Sequence, residues 1–306
     1  PESSLRFTYN EAFQVANYSE FFLQANAAAP VNLSAIERAA CTPFGVDCGF
    51  GTPTRILAVG NDDLALESTK MIEFGYSGIL AKKAYLTLDY YYAWNDQFIT
   101  DLIPQIDPLG NRVNPDFGPY QPPANHPAPA ALVGALRSNL PPALFAILSN
   151  NFDGSPAFVA RTYANFGEVN TQGIDLGLNY YFIDGWTYSF TYSWFDWKNQ
   201  DPSSPLASML LPNTPENKLA TGIAYGNEKW NAGFDVRWVD EFRWAVGPFQ
   251  GNVEAYTTAD IRANYNVNQR FSVGLNVANL FDNDHWEAFG GDLIGSRALV
   301  NVAVHW

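Results

Sequence analysis

The chain has 306 residues, 47% of them hydrophobic and 15% aromatic, with a formal net charge of -14. Mean hydropathy is only -0.15, so apolar residues are interleaved with polar ones rather than collected into blocks, the composition of a β-rich protein. With 17 Lys and Arg against 31 Asp and Glu there is no basic stripe to meet phosphates; nucleic acid is excluded as a partner, and the acidity fits secreted and outer-membrane proteins.

Residue 1 is Pro and no signal peptide precedes it, so the chain reads as a processed or partial product. A first strand over 3–11 leads into a long connection over 13–66, which holds Cys41 and Cys48 in "CTPFGVDC". A short disulfide clip formed in an oxidising compartment is favoured over a metal pair, because no His or further Cys stands near enough to complete a zinc site. Asp62 and Asp63 follow in "GNDDLALE". Their adjacency puts the two carboxylates on opposite sides of an extended chain, which weighs against a shared cation.

After the turn "ILAK", the segment "KKAYLTLDYYYAW" sets Leu86, Leu88, Tyr90, Tyr92 and Trp94 against Tyr85, Thr87, Asp89 and Tyr91. The next long connection, 96–160, contains an apolar stretch broken by Pro141 and Pro142 and carrying Arg137. Short helical pieces are expected there, not a spanning helix. "GIDLGLNYYF" and "WTYSFTYSWFDW" then alternate on either side of the tight turn "IDG". In the second, Trp186, Tyr188, Phe190, Tyr192 and Trp194 form a greasy wall, and Thr187, Ser189, Thr191 and Ser193 a hydroxyl wall. The same period of two recurs around Phe234, around Ile261 and down to Val300, Val302, Val304 and Trp306.

Short turns alternate with long connections, the latter also at 199–215, 244–252 and 282–294. Roughly ten antiparallel strands trimmed at one end and elaborated at the other are the pattern of an outer-membrane β-barrel. One face of each strand is nearly free of charge and rich in aromatics near both ends; Trp186, Tyr188, Tyr192, Trp194 and Trp306 are expected in the membrane girdles. The opposing face holds Asp89, Asp175, Asp235, Arg237, Asp260 and Arg262, a row that suits an enclosed polar interior and not a packed core. The last strand is expected to run its full length and close against another, since no edge is tolerated in lipid.

No nucleophile elbow, phosphate loop, His-Glu-x-x-His or Cys-x-x-Cys occurs, and His126, His285 and His305 are dispersed; no enzyme, metal site or cofactor is expected. Arg237 and Arg262 each stand two residues from an aspartate, Asp235 and Asp260, on one strand face. They form either an ion-pair ladder or an anion-contacting wall that guides a substrate. Phe242, Trp244, Phe249, Trp286 and Phe289 fall in the long connections, where they either stack on a sugar ring or aromatic chelator or pack the loops on one another.

"GLNVANLFDNDHW", followed by a Gly-rich loop, "GSR" and a terminal aromatic strand, resembles the C-terminal signature of the TonB-dependent outer-membrane receptors. "SLRFTYNEAFQVANYSEFF", "VGNDDLALESTKMIEFGYSG", "YANFGEVNTQGIDLGLNYYF" and "LPNTPENKLATGIAY" fit that family's barrel in order. The resemblance implies an all-β chain forming the C-terminal part of a plug-filled barrel of about 22 strands, with long extracellular loops and short periplasmic turns. The plug and the energy-coupling box are absent from these residues. By the same resemblance the whole receptor sits in lipid and takes up a scarce small molecule: a ferric siderophore, a cobalamin-like cofactor or an oligosaccharide. Energy reaches it from a TonB-type protein acting on the plug, and a lipoprotein or other subunit is a further partner that the resemblance allows. Two rival readings are a passive porin and a surface adhesion or structural barrel that uses its long loops; an outer-membrane hydrolase is disfavoured by the missing nucleophile and base.

Overall fold

The computed structural model describes residues 2–207, 210–246 and 249–304. Ten strands form one antiparallel sheet: β1 (Ser3–Gln14), β2 (Glu67–Leu80), β3 (Ala84–Asp96), β4 (Val169–Ile183), β5 (Trp186–Asn199), β6 (Asn217–Gly226), β7 (Trp230–Val239), β8 (Tyr256–Asn268), β9 (Phe271–Ala278) and β10 (Arg297–Val304). Each pairs with its neighbour in sequence. The connections 81–83, 184–185, 227–229 and 269–270 are short, and 15–66, 97–168, 200–216, 240–255 and 279–296 are long. Long and short alternate strictly, so all the long ones leave from the same end of the sheet. The two-residue turn after β4 depends on Gly185, at φ 77°, a backbone region that costs glycine little and other residues much.

Strand pleating separates the two faces. On one, Leu5, Tyr76, Leu88, Leu176, Tyr192 and Leu219 stand in register across six strands. On the other, Arg6, Gly75, Asp89, Asp175, Ser193 and Lys218 follow the same path. The apolar face has no partner layer: Tyr188, Phe234 and Ile261, all well inside the sheet, are each 36% exposed. Water would penalise such a belt, and hydrocarbon would not. Among the described residues no helix is long and apolar enough to cross a membrane.

Aromatic rings mark both rims of this face. At the short-turn end Trp186 stacks near Tyr225 at 5.0 Å and Trp230 near Tyr265 at 4.4 Å. At the long-connection end the Tyr192 hydroxyl donates to Asn217 Oδ1 at 2.7 Å, and Trp194 Nε1–H reaches Glu216 at 3.4 Å. An apolar ring with its polar tip turned to the rim is what an interface position asks of Tyr and Trp. Tyr188 lies one pleat in from Trp186, its oxygen accepting a hydrogen bond from Thr221. Trp306 lies outside the described residues.

Two expectations are corrected. The last strand does not close the barrel: among the described residues β10 pairs with β9 alone and β1 with β2 alone, so the sheet is an open part of a barrel wall. Among the described residues the sheet therefore ends in two edges, β1 and β10, each paired on one side alone. Nor are the connections after β1 and β3 mere loops with helical pieces. They fold together into a cap with a mixed sheet, in which Thr54–Val59 runs parallel to Pro156–Thr162; Gln24–Val31 pairs with the first of these and Ile103–Pro104 with the second.

The cap contains the chain's main dry core. Leu132, Leu136 and Leu140, from and just after the helix Pro129–Asn139, pack with Phe50, Leu148 and Phe158. Pro142 begins a second short helix, where its missing N–H costs nothing. Cys41 and Cys48 are joined by a disulfide inside this core, with their Cα atoms 6.1 Å apart. The buried Glu37 carboxylate accepts the N–H of Cys48 at 3.0 Å and of Phe50 at 2.9 Å, fixing the loop around it. Asn114, fully buried, donates to Gly60 O and Thr162 Oγ1 and thereby ties the two connections together.

Candidate ligand-binding site on the polar wall

A cavity of about 510 Å³ opens on the polar face near the long-connection end. β6, β7 and β8 supply its wall through Lys218, Arg237 and Tyr256. The connection 240–255 folds back as a hairpin, with Phe242 opposite Val253 and Trp244 opposite Gly251, and places Phe242 and Trp244 in the lining. Asn213 holds that hairpin by two bonds to Ala245, at 2.9 and 2.8 Å. Glu287 enters from the connection 279–296 and completes the lining residues that carry chemistry.

Arg237 is ion-paired to Glu287, and its guanidinium lies 5.5 Å from the centre of the Tyr256 ring. Partial burial pushes the Glu287 carboxyl up. The hydrogen bond and charge of Arg237 outweigh it and hold the carboxyl below its ordinary range. His285 stacks on Tyr256 at 4.2 Å and 23°. The site is thus a cationic and aromatic pocket with one carboxylate inside it, suited to holding an acidic, ring-bearing ligand.

The residues expected from sequence divide. Arg237, Phe242 and Trp244 meet in the cavity, whereas Asp235, Asp260 and Arg262 do not line it. Arg262 pairs with Asp235 on the neighbouring strand, and Arg237 with the loop residue Glu287; neither salt bridge is the same-strand pair two residues apart. Directly opposed cross-strand neighbours are closer than residues two apart on one strand, and a side chain as long as arginine's also reaches a diagonal neighbour readily. Gly233 makes this possible, since a Cβ there would stand 2.8 Å from the Arg262 guanidinium. Asp260 accepts the N–H of Asn279 at 2.8 Å and so anchors the start of the last long connection.

Phe289 sits against Gly251, where a Cβ would collide with its ring, and packs with Val239 and Val253, so it joins the loops to one another. Trp286 is 49% exposed at the surface of its loop. The side chain of Phe249 lies outside the described residues. Lys218, Tyr256, His285 and Glu287 went unrecognised in the sequence. Lys218 had a signal, being in alternation with Ala220 and Gly222 opposite the apolar Leu219; the loop residues had none.

Two other clusters sit in the cap. Cys41, Cys48 and His126 come within 4.8 Å of one another. The sulfurs are spent on the disulfide, and both ring nitrogens of His126 are used, Nε2 donating to Ala40 O and Nδ1 accepting from Ala128 N–H. Asp116 is brought against the Asp62 and Asp63 pair; its hydrogen bond with Asp62, burial and the two neighbouring charges push its carboxyl up to about 6.

Residues 1–280 match the family model described as TonB dependent receptor-like, beta-barrel. A probable TonB-dependent siderophore receptor, PiuA, of Acinetobacter baumannii is 27% identical over 146 residues, which is 40% of this chain and 18% of that protein. The ferric-pyoverdine BN7/BN8 receptor of Pseudomonas putida is 26% identical over 135 residues, 42% of this chain and 16% of the receptor. Among solved structures, the copper transporter OprC superposes with a TM-score of 0.58 at 15% identity, covering 99% of this chain and 37% of that one. The siderophore receptor PirA from Acinetobacter baumannii gives 0.57 at 15%, covering 98% and 38%. The chain therefore spans well under half the length of the receptors it matches, and it belongs to the TonB-dependent receptors of the outer membrane, as part of their β-barrel.

Proposed function

We propose that this chain is the ligand-reading part of an outer-membrane receptor that takes up an anionic iron chelate, with energy delivered by a TonB-type protein. The observation that carries the reading is the cavity itself: Arg237 and Lys218 stand beside Tyr256, Phe242 and Trp244 on the polar wall. Ferric complexes of catecholates are negatively charged and present flat aromatic faces, and that pairing of cations with rings meets both features. The siderophore receptors among its relatives support the same class of solute. Further strands, making about 22 in all, complete the wall at β1 and β10, and a plug fills the interior. The cap and the long connections face outward, where a chelate arrives.

The test is uptake of radioactive iron, presented as a ferric catecholate, by cells expressing the intact receptor with and without the inner-membrane energy complex. Accumulation that depends on the complex and falls in an Arg237→Gln, Lys218→Gln double variant supports the reading. Unchanged accumulation in that variant, at an unchanged level of folded receptor, sinks it.

A further inference from the structure

His285 is buried, yet its Nε2 has no hydrogen-bond partner. The other ring nitrogen decides what that means. Nδ1 lies 2.7 Å from the carbonyl oxygen of Asn283, and a carbonyl only accepts, so Nδ1 carries the proton. In the neutral ring Nε2 is then a bare lone pair, and it faces Glu287 Oε1 at 3.6 Å. Two acceptors confront each other across that gap. A buried acceptor left without a donor costs free energy that a single proton would recover.

We propose that His285 is the specificity-determining residue of the cavity: on taking up a proton it draws Glu287 off Arg237, and the freed guanidinium turns the cavity into a strong site for polyanionic aromatic ligands. The inference rests on the anion-binding reading of this cavity given above. With His285 neutral, Glu287 neutralises Arg237 and only Lys218 presents an uncompensated charge among the cavity's Lys218, Arg237 and Glu287. With His285 protonated, one carboxylate serves two cations and the cavity becomes more positive by one charge.

The surrounding groups favour that redistribution. From β8, Tyr256 offers its ring to the imidazolium, stacked at 4.2 Å, so protonation creates a cation–π attraction there. From β7, Arg237 already sits over the same ring, so the second cation repels it and weakens its hold further. On the connection itself, Asp282 accepts the N–H of Ser296, and the Asp282 and Asp284 carboxylates both lie near Gly295.

The intact receptor, in detergent or outer-membrane vesicles, is titrated with a naphthalene trisulfonate, an aromatic trianion whose sulfonates stay ionised throughout. Between about pH 8 and about pH 5.5 the wild-type affinity is expected to rise about threefold to tenfold. His285→Phe, which keeps a ring against Tyr256 but cannot titrate, is expected to bind with little pH dependence. Glu287→Gln, an exposed loop change, is expected to bind at both pH values as tightly as wild type does in acid. Heat-modifiable migration of the folded barrel on gels confirms that each variant is assembled. A flat wild-type profile, or a pH dependence that survives in His285→Phe, overturns the inference while leaving the cavity an anion site. No binding by wild type or Glu287→Gln at either pH overturns both.

Discussion

Arg237 is bonded to Glu287, fifty residues further along the chain, and not to Asp235, its neighbour on the same strand face. That single pairing joins the wall of the sheet to its last long connection and sets the charge of the cavity. Replacing Arg237 by Gln removes a charge-assisted hydrogen bond to an acidic ligand, and such bonds contribute about 1.5–3 kcal/mol. Affinity for a ferric tricatecholate, titrated on the intact receptor, is therefore expected to fall by about tenfold to a hundredfold. Arg237 and Glu287 are both about half exposed, so the barrel is expected to assemble normally, checked by its gel mobility before and after heating.

How much of this is legible in the sequence depends on which force sets each position. Phe234 and Asp235 can be assigned to opposite faces because pleating imposes a period of two wherever one face meets an apolar medium and the other does not. Thr54–Val59 and Pro156–Thr162 escape the same reading. They are covered largely on both sides, so no alternation is written into them, and they pair in parallel from segments about a hundred residues apart. Cys41 and Cys48, seven apart, are readable as a pair because a short loop brings its own ends together. Glu287 is not, because nothing local links a loop carboxylate to a strand arginine. The position of the cavity therefore depends on the fold, although Arg237, Phe242 and Trp244 stand out in the sequence as residue types.

The face assignment has a direct test in adjacent residues. Leu275 is 40% exposed on the apolar face, and Asn276 is exposed on the polar one. Arginine at a lipid-facing barrel position costs about 2–4 kcal/mol at mid-membrane and little on the lumen side. Leu275→Arg is expected to lower the unfolding free energy in lipid vesicles by that amount, or to block assembly. Asn276→Arg is expected to stay within about 1 kcal/mol of wild type. Equal effects of the two would mean that the faces are assigned the wrong way round.

The disulfide has its effect in the cap and not in the barrel wall. Closing a loop as short as that between Cys41 and Cys48 restricts the unfolded chain by about 2–3 kcal/mol. Removing both cysteines as serines also places two hydroxyls in the core around Phe50, Leu136 and Phe158. Hydrogen exchange is expected to accelerate about thirtyfold or more in the segments 32–50 and 129–148, while β4 to β8 remain protected. The same pattern is expected on adding a reductant to the wild type, provided the buried sulfurs become accessible through local opening.

Asp116 gives the cap a dependence on pH whose sign is fixed by its direction of shift. Its carboxyl is pushed up to about 6 by the hydrogen bond with Asp62, burial, and the charges of Asp62 and Asp63. In the unfolded chain these charges are apart and the group returns to the ordinary carboxylate range, near 3.8. Between those values the folded cap binds the proton and the unfolded one does not, so stability falls as pH rises through about 6 and recovers as pH falls toward 4. The three side chains are exposed, so solvent and salt screen the repulsion and the effect is modest. Asp116→Asn keeps a hydrogen bond to Asp62 and removes the titrating charge. Protection factors, which remove the base-catalysed rise of intrinsic exchange with pH, are expected to fall from pH 5 to pH 7 in the segments holding residues 60–66 and 114–118 of the wild type and to stay level in that variant. A wild-type cap that opens less readily at pH 7 than at pH 5 would show that the three carboxylates do not confront one another in solution.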